Sequence, residues 1–313
     1  MRHAHPPAPR SRRRRNTALA GGVLGVAAVA AAFVVAATPS QSAPRPAAES
    51  AAKNAAKNAA KGPWLRAAGA PLTVIAHRGA PSAAPENTLI SDEVARRGGA
   101  KWIENDVQPS KDGVPYVVHD STVDRTTDGT GPVRGLTAAQ LDALDAGSWF
   151  APAYAGARIP TLAAQLEDLR ARGGNLLLEI KGPHSRAQVA RVVEEIRERD
   201  MTGRVFVQSF DIPSLQHVHE LAPELPLGLL RDHLDADPVA LAEELGLSAY
   251  NVADAALSGR PAVVAELHAA GVAVNVWTVD RPARWKALAD LGVDGVITNR
   301  PTELAGWNSA QLP

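Results

Sequence analysis

Three carboxylates and two histidines carry the chemistry that this chain advertises. Glu104 and Asp106 lie two apart in "WIENDVQ", an otherwise apolar run. Side chains two apart on a strand share a face, so both charges point the same way. Glu179, in "LLLEIK", ends another apolar run with Lys181 on its own face. Three converging carboxylates repel unless a proton or a cation intervenes. Oxygen-only donors without cysteine suit a hard divalent cation, Ca²⁺ or Mg²⁺, and leave positions for water or a phosphate oxygen. His77 and His119 each end an apolar run, and histidine transfers protons near neutral pH. Arg78 and Lys181 add positive charge beside the carboxylates, and together with a metal they would cradle an anionic diester. Trp277 offers an apolar wall for the uncharged part of a substrate. His217 and His219 lie on the solvated face of a predicted helix, and His184, His233 and His268 have no comparable company.

These residues need a scaffold that brings the ends of several strands together. From residue 71, apolar runs at 72–76, 101–107, 175–180, 204–208, 226–230, 248–252, 272–277 and 294–298 alternate with helical patterns. The helical segments are 88–98, 161–173, 184–199, 211–221, 237–246, 259–270 and 281–291, with a last short helix after Pro301. Several start at a capping residue and stop at a glycine. Strand–helix alternation of this kind predicts an α/β fold with a parallel sheet, a (β/α)8 TIM barrel rather than an open doubly wound sheet. Residues 101–120 read as two short strands joined by Lys111-Asp112-Gly113. About 119–160 break the alternation and form an insertion after strand 2, with one helix at 137–144. In a barrel of parallel strands the strand ends and following loops form the active site.

The N-terminus differs from the rest. Residues 1–70 hold eleven Lys/Arg and one acid, whereas the remainder holds 22 Lys/Arg and 32 Asp/Glu. The zero net charge is thus a sum of opposite parts, and the acidic balance of the barrel gives no reason to expect nucleic acid as a partner. Arg12 to Arg15 precede an uncharged stretch at 17–37. We expect 1–37 to be an export signal, cleaved in preference to being kept as a membrane anchor. Residues 38–70, with "AAKNAAKNAAK", read as a linker. The expected destination is the cell surface or exterior, close to membrane or wall. The absence of cysteine fits an exported chain without proving the compartment. Nothing in the residue pattern sets an oligomeric state.

The motifs "AHRGAPSAAPENT" (76–88), "WIENDVQPSKDGVPYVVHDSTVDRTTDGTG" (102–131), "LLLEIKGP" (176–183), "VQSF" (207–210), "VNVWTVD" (274–280) and "GVDGVITNRP" (292–301) resemble the glycerophosphodiester phosphodiesterases. The resemblance runs in order over about 72–305. It implies a TIM barrel at 71–313, a divalent cation, and hydrolysis of glycerophosphodiesters to glycerol 3-phosphate and an alcohol. It also implies His77 and His119 as the catalytic pair and Glu104, Asp106 and Glu179 as metal ligands. Arg78 and Lys181 then fall near the phosphate, with Glu86 and Asn87 buttressing the first loop. Two positions depart from the usual pattern. Asn105 replaces an apolar residue and should face away from the site, and Asn299 stands where the family often has Asp. A lysophospholipid or a wall polyglycerophosphate is the alternative substrate. A catalytically dead binding barrel is the reading that the full set of carboxylates and histidines argues against.

Overall fold

The computed structural model describes residues 64–311. The expected signal segment at 1–37, and the linker as far as residue 63, lie outside the described residues.

The described residues form nine strands in chain order: β1 (Thr73–Ala76), β2 (Trp102–Pro109), β3 (Pro115–Val117), β4 (Asn175–Ile180), β5 (Val205–Ser209), β6 (Leu227–Arg231), β7 (Ala249–Ala253), β8 (Ala273–Trp277) and β9 (Gly295–Thr298). All but β3 are parallel to their neighbours, and β1 pairs with both β2 and β9, which closes the barrel. The fold is the (β/α)8 TIM barrel expected from the alternation. β3 runs antiparallel to the end of β2, with Val107 opposite Val117, so residues 101–120 are a hairpin.

Among the described residues ten α-helices accompany the strands: α1 (Leu89–Arg97), α2 (Ala138–Asp142), α3 (Leu162–Arg172), α4 (Arg186–Glu198), α5 (Ile212–Leu221), α6 (Pro238–Glu244), α7 (Asp254–Leu257), α8 (Val263–Ala269), α9 (Pro282–Leu291) and α10 (Pro301–Ala310). Side-chain oxygens at Thr88, Thr137, Thr161, Ser185, Asp211 and Asp237 cap six of them by accepting a backbone N–H of the first turn.

Apolar side chains fill three places. The largest cluster lies between the barrel's outer face and the helices, where Ile103, Val107, Leu176, Leu178 and Ile180 meet helical residues such as Leu166 and Val192. A second fills the barrel floor around Ile75, Leu177, Phe206 and Ile297. A third belongs to the insertion, where Tyr116, Val133, Leu141 and Ile159 pack together. The expected irregular segment therefore has a core of its own, tied down by Tyr116 Oη donating to Asp142 at 2.7 Å.

The linker expectation is corrected at its end. Residues 64–70 lie against the end of the barrel where the strands begin. Trp64 meets Trp102 and Phe206 edge-on, with ring centroids 5.9 and 5.1 Å apart. Arg66 donates its backbone N–H to Asp294 at 2.6 Å and its guanidinium to the Val293 and Ala289 carbonyls, each at 2.9 Å. Composition marked these residues as linker because their neighbours upstream are low-complexity. Two apolar side chains and one arginine were enough to seat them.

Candidate active site

Strand register assembles the carboxylates. Asp106 on β2 lies opposite Glu179 on β4, which lies opposite Gln208 on β5. Residues in register share a face, so this row points into the barrel, and Glu104 joins it two residues below Asp106. All three carboxylates are buried, and one oxygen from each lies within 4.8 Å of the others. The next residue in the row is Gly228 on β6. An ideal Cβ there would sit 2.8 Å from Asn251 Nδ2, so glycine makes room for an amide chain across the barrel. In that chain Asn275 donates to Asn251 at 2.9 Å, Asn251 to Gln208 at 2.8 Å, and Gln208 to Glu104 at 3.2 Å.

The loop after β1 supplies most of the remaining contacts. Arg78 takes a positive φ of 54°, and Gly79 follows at 85° with Ser91 against it. A Cβ at position 79 would lie 2.4 Å from Ser91 Oγ, so only glycine fits this approach. The turn aims the Arg78 backbone N–H at Glu104, 3.0 Å away, and its guanidinium at Asp106, 3.3 Å away. Glu86 pairs with Arg78 at 2.9 Å and with Arg125 of the insertion at 2.8 Å. Asn87 reaches past the loop and donates Nδ2 to Asp106 at 2.9 Å. Lys181 Nζ lies 2.9 Å from Glu179 and 3.3 Å from Asp106.

The electrostatics are uneven across the cluster. Burial pushes the Glu104 carboxyl well above its ordinary range, and the charges of Asp106 and Glu179 push the same way. Burial and Asp106 likewise raise Glu179, to about 7. Burial also acts against Asp106, but Lys181 and Arg78 outweigh it and hold that group well below its usual range. Carboxylates crowded in this way fit a hard cation, which would replace the proton that otherwise relieves their repulsion. Glu179 is buried beside them, with its Oε1 2.9 Å from Lys181 Nζ, and completes the oxygen set. The donor set thus suits a divalent ion held by Glu104, Asp106 and Glu179.

Both histidines are half-buried and anchored through Nδ1. His77 Nδ1 lies 2.7 Å from Asn299 Oδ1, and His119 Nδ1 lies 2.7 Å from Asp120 Oδ1. Burial and the nearby Arg78 charge lower the His77 pKa to about 4. Hydrogen bonds from Arg125 lower Asp120 to about 2 despite partial burial, so it faces His119 as a carboxylate. Trp277 ends β8 half-buried, donates Nε1 to the Asn251 carbonyl at 3.1 Å, and meets Phe210 edge-on at 5.5 Å.

Several contributors escaped the sequence reading. Gln108 Nε2 lies within 3.1 Å of the carbonyls of Val118, His119 and Asp120, and so holds the histidine's loop. Its position two beyond Asp106, on the same strand face, was the available signal. Arg125 joins Glu86 to Asp120, and with them the first loop to the insertion. Asn299, which the sequence did single out, reaches His77 from the end of β9, and Asp280 beyond β8 holds the Asn299 amide. Partners this far apart in sequence leave no local signature.

The known proteins with which this chain shares sequence and fold agree with one another. The profile of the glycerophosphoryl diester phosphodiesterase family matches residues 77–303. A glycerophosphodiester phosphodiesterase from Caldanaerobacter subterraneus is 37% identical over 236 residues, 74% of this chain and 95% of that protein. A Bacillus subtilis glycerophosphodiester phosphodiesterase is 33% identical, over 74% of this chain and 84% of its own length. Among solved structures, an Oleispira antarctica phosphodiesterase in complex with the product sn-glycerol-3-phosphate superimposes with a TM-score of 0.72 at 31% identity. It covers 77% of this chain and 97% of its own. Sequence, barrel and carboxylate cluster converge on one conclusion: the chain belongs to the glycerophosphodiester phosphodiesterase family and is an enzyme of that class.

Proposed function

We propose that this enzyme hydrolyses glycerophosphodiesters to glycerol 3-phosphate and an alcohol, with His77 and His119 transferring the protons. The observation that carries the reading is the pair of histidines, each fixed through Nδ1 at the barrel mouth that also holds the three carboxylates. Anchored in this way, each ring keeps Nε2 for chemistry. Glu104, Asp106 and Glu179 would hold Ca²⁺ or Mg²⁺, which supplies Lewis-acid stabilisation of charge developing on the phosphoryl oxygens. Arg78 and Lys181 add fixed positive charge beside the same oxygens. One histidine accepts a proton from the attacking hydroxyl, of water or of the substrate's own glycerol, and the other protonates the departing alkoxide. Trp277 walls the apolar side of the substrate. The bound product of the Oleispira antarctica relative supports a glycerol 3-phosphate moiety as the recognised half. The basic run and uncharged stretch at 12–37 support action outside the cell, near membrane or wall.

The test is release of glycerol 3-phosphate from glycerophosphocholine and a polyglycerophosphate, and of choline with lysophosphatidic acid from a lysophosphatidylcholine, with and without EDTA. We expect activity to vanish on chelation and return with Ca²⁺ or Mg²⁺, and the preferred substrate to identify the alcohol. Turnover indifferent to chelation would sink the metal-assisted mechanism.

A further inference from the structure

Asp280 and Asn299 stand behind His77, and their hydrogen bonds leave only one arrangement. The Asp280 carboxylate takes the Thr298 hydroxyl at 2.9 Å and the Asn299 backbone N–H at 2.8 Å on one oxygen. Its other oxygen takes Asn299 Nδ2 at 2.8 Å. A carboxylate only accepts, so the Asn299 amide must turn its NH₂ toward Asp280. Its carbonyl oxygen then faces His77 Nδ1, 2.7 Å away. That oxygen also only accepts, so Nδ1 must carry the hydrogen.

We propose that Asp280 and Asn299 are positioning residues that fix His77 as the Nδ1–H tautomer, leaving its Nε2 free of hydrogen as the proton acceptor. The proposal rests on the acid–base reading of His77 given above. The charged and titratable groups that face the ring are Arg78 beside it, Asp106 on β2 and His119 after β3. Burial and Arg78 dominate and keep the ring neutral near pH 7, the state in which a tautomer has meaning. His119 differs, because its Nδ1 faces a full carboxylate rather than an amide oxygen.

An isosteric exchange tests the pair. In Asp280→Asn, the new amide can keep its oxygen on Thr298 and donate to Asn299, whose own amide then turns over. His77 Nδ1 now meets an NH₂ group, and the hydrogen moves to Nε2. The double exchange Asp280→Asn with Asn299→Asp restores an acceptor opposite Nδ1. Long-range ¹H–¹⁵N spectra of ¹⁵N-labelled protein read the tautomer directly, with His77→Gln assigning the ring. We expect a protonated Nδ1 in the wild type, a protonated Nε2 in Asp280→Asn, and the wild-type pattern in the double exchange. Turnover should follow the tautomer: kcat falls at least about tenfold in the single exchange with KM little changed, and recovers in the double. If Asp280→Asn fails to fold, Asn299→Ala leaves Asp280's other bonds in place and should release the ring into both tautomers. A tautomer unchanged by these substitutions overturns the proposal, as does a reversed tautomer with undiminished kcat. Were the wild type inactive on every glycerophosphodiester, the functional reading would fall while the spectra still decided the tautomer.

Discussion

At the scale of residues, the site divides its labour between groups that carry charge and groups that aim them. Glu104, Asp106 and Glu179 are useful only because Arg78, Lys181, Asn87 and Gln208 orient them without adding further negative charge. His77→Ala and His119→Ala should each lower kcat by about 10²–10⁴ while leaving the fold intact, as followed by turnover and circular dichroism. Wild-type turnover in both variants would exclude the proposed proton transfers. Gln208→Leu tests the aiming. It leaves Glu104 without the amide donor and should weaken cation binding about tenfold or more by calorimetry, since losing an outer hydrogen bond to a ligand typically costs 10–100-fold. Affinity equal to wild type would show that Gln208 only packs. Of these residues, the carboxylates and histidines were legible in the sequence because types and spacing announce them. Gln208 was visible only as the polar end of its strand within VQSF, and its chain with Asn251 and Asn275 was not, since each is one polar residue in a separate strand and only the closed barrel brings them together.

At the scale of elements, β2 carries polar groups on both faces. Glu104 and Asp106 point inward, while Asn105 between them points out and hydrogen-bonds Gln165 of α3. Gln165 in turn donates to Asp92 of α1 at 2.6 Å, completing a fully buried chain between helices and barrel. That Asn105 should face away follows from alternation alone. Its partners do not, because Asp92 and Gln165 look like ordinary surface positions of amphipathic helices. Burial raises the Asp92 pKa to about 7. A carboxyl with a raised folded-state pKa stabilises the fold while protonated, and that advantage is lost as pH rises from about 4 through about 7. Asp92→Asn keeps an acceptor for Gln165 and removes the titration. We expect it to match the wild type near pH 4 and to exceed it by about 1–3 kcal/mol at pH 8, read from urea midpoints at both values. A stability difference independent of pH would show that Asp92 is not held protonated.

At the scale of the whole molecule, the two ends of the barrel do different work. The mouth holds charge, while residues 64–70 sit at the floor, where Trp64 and Leu65 line an open pocket of about 240 Å³ with Trp102 and Phe206. Trp64→Ala should cost about 1–3 kcal/mol, seen as a lower urea midpoint, through lost burial and two edge-on ring contacts. Its kcat should stay near wild type, because the chemistry is at the other end. An unchanged midpoint would show that this segment rests on the barrel without supporting it. A lowered kcat with stability intact would show that the floor communicates with the mouth.

Local residue pattern was enough to place the strand–helix alternation, the hairpin at 101–120, and the carboxylates and histidines at strand ends. Period-two and helical patterns are local, and a charge inside an apolar run is conspicuous wherever it occurs. Tertiary structure alone decided which groups aim them: the amide chain from Asn275 to Glu104, the Asp280–Asn299 support behind His77, and the seating of Trp64. Each joins residues far apart in the chain, through hydrogen bonds or packing that exist only once eight strands close into one barrel.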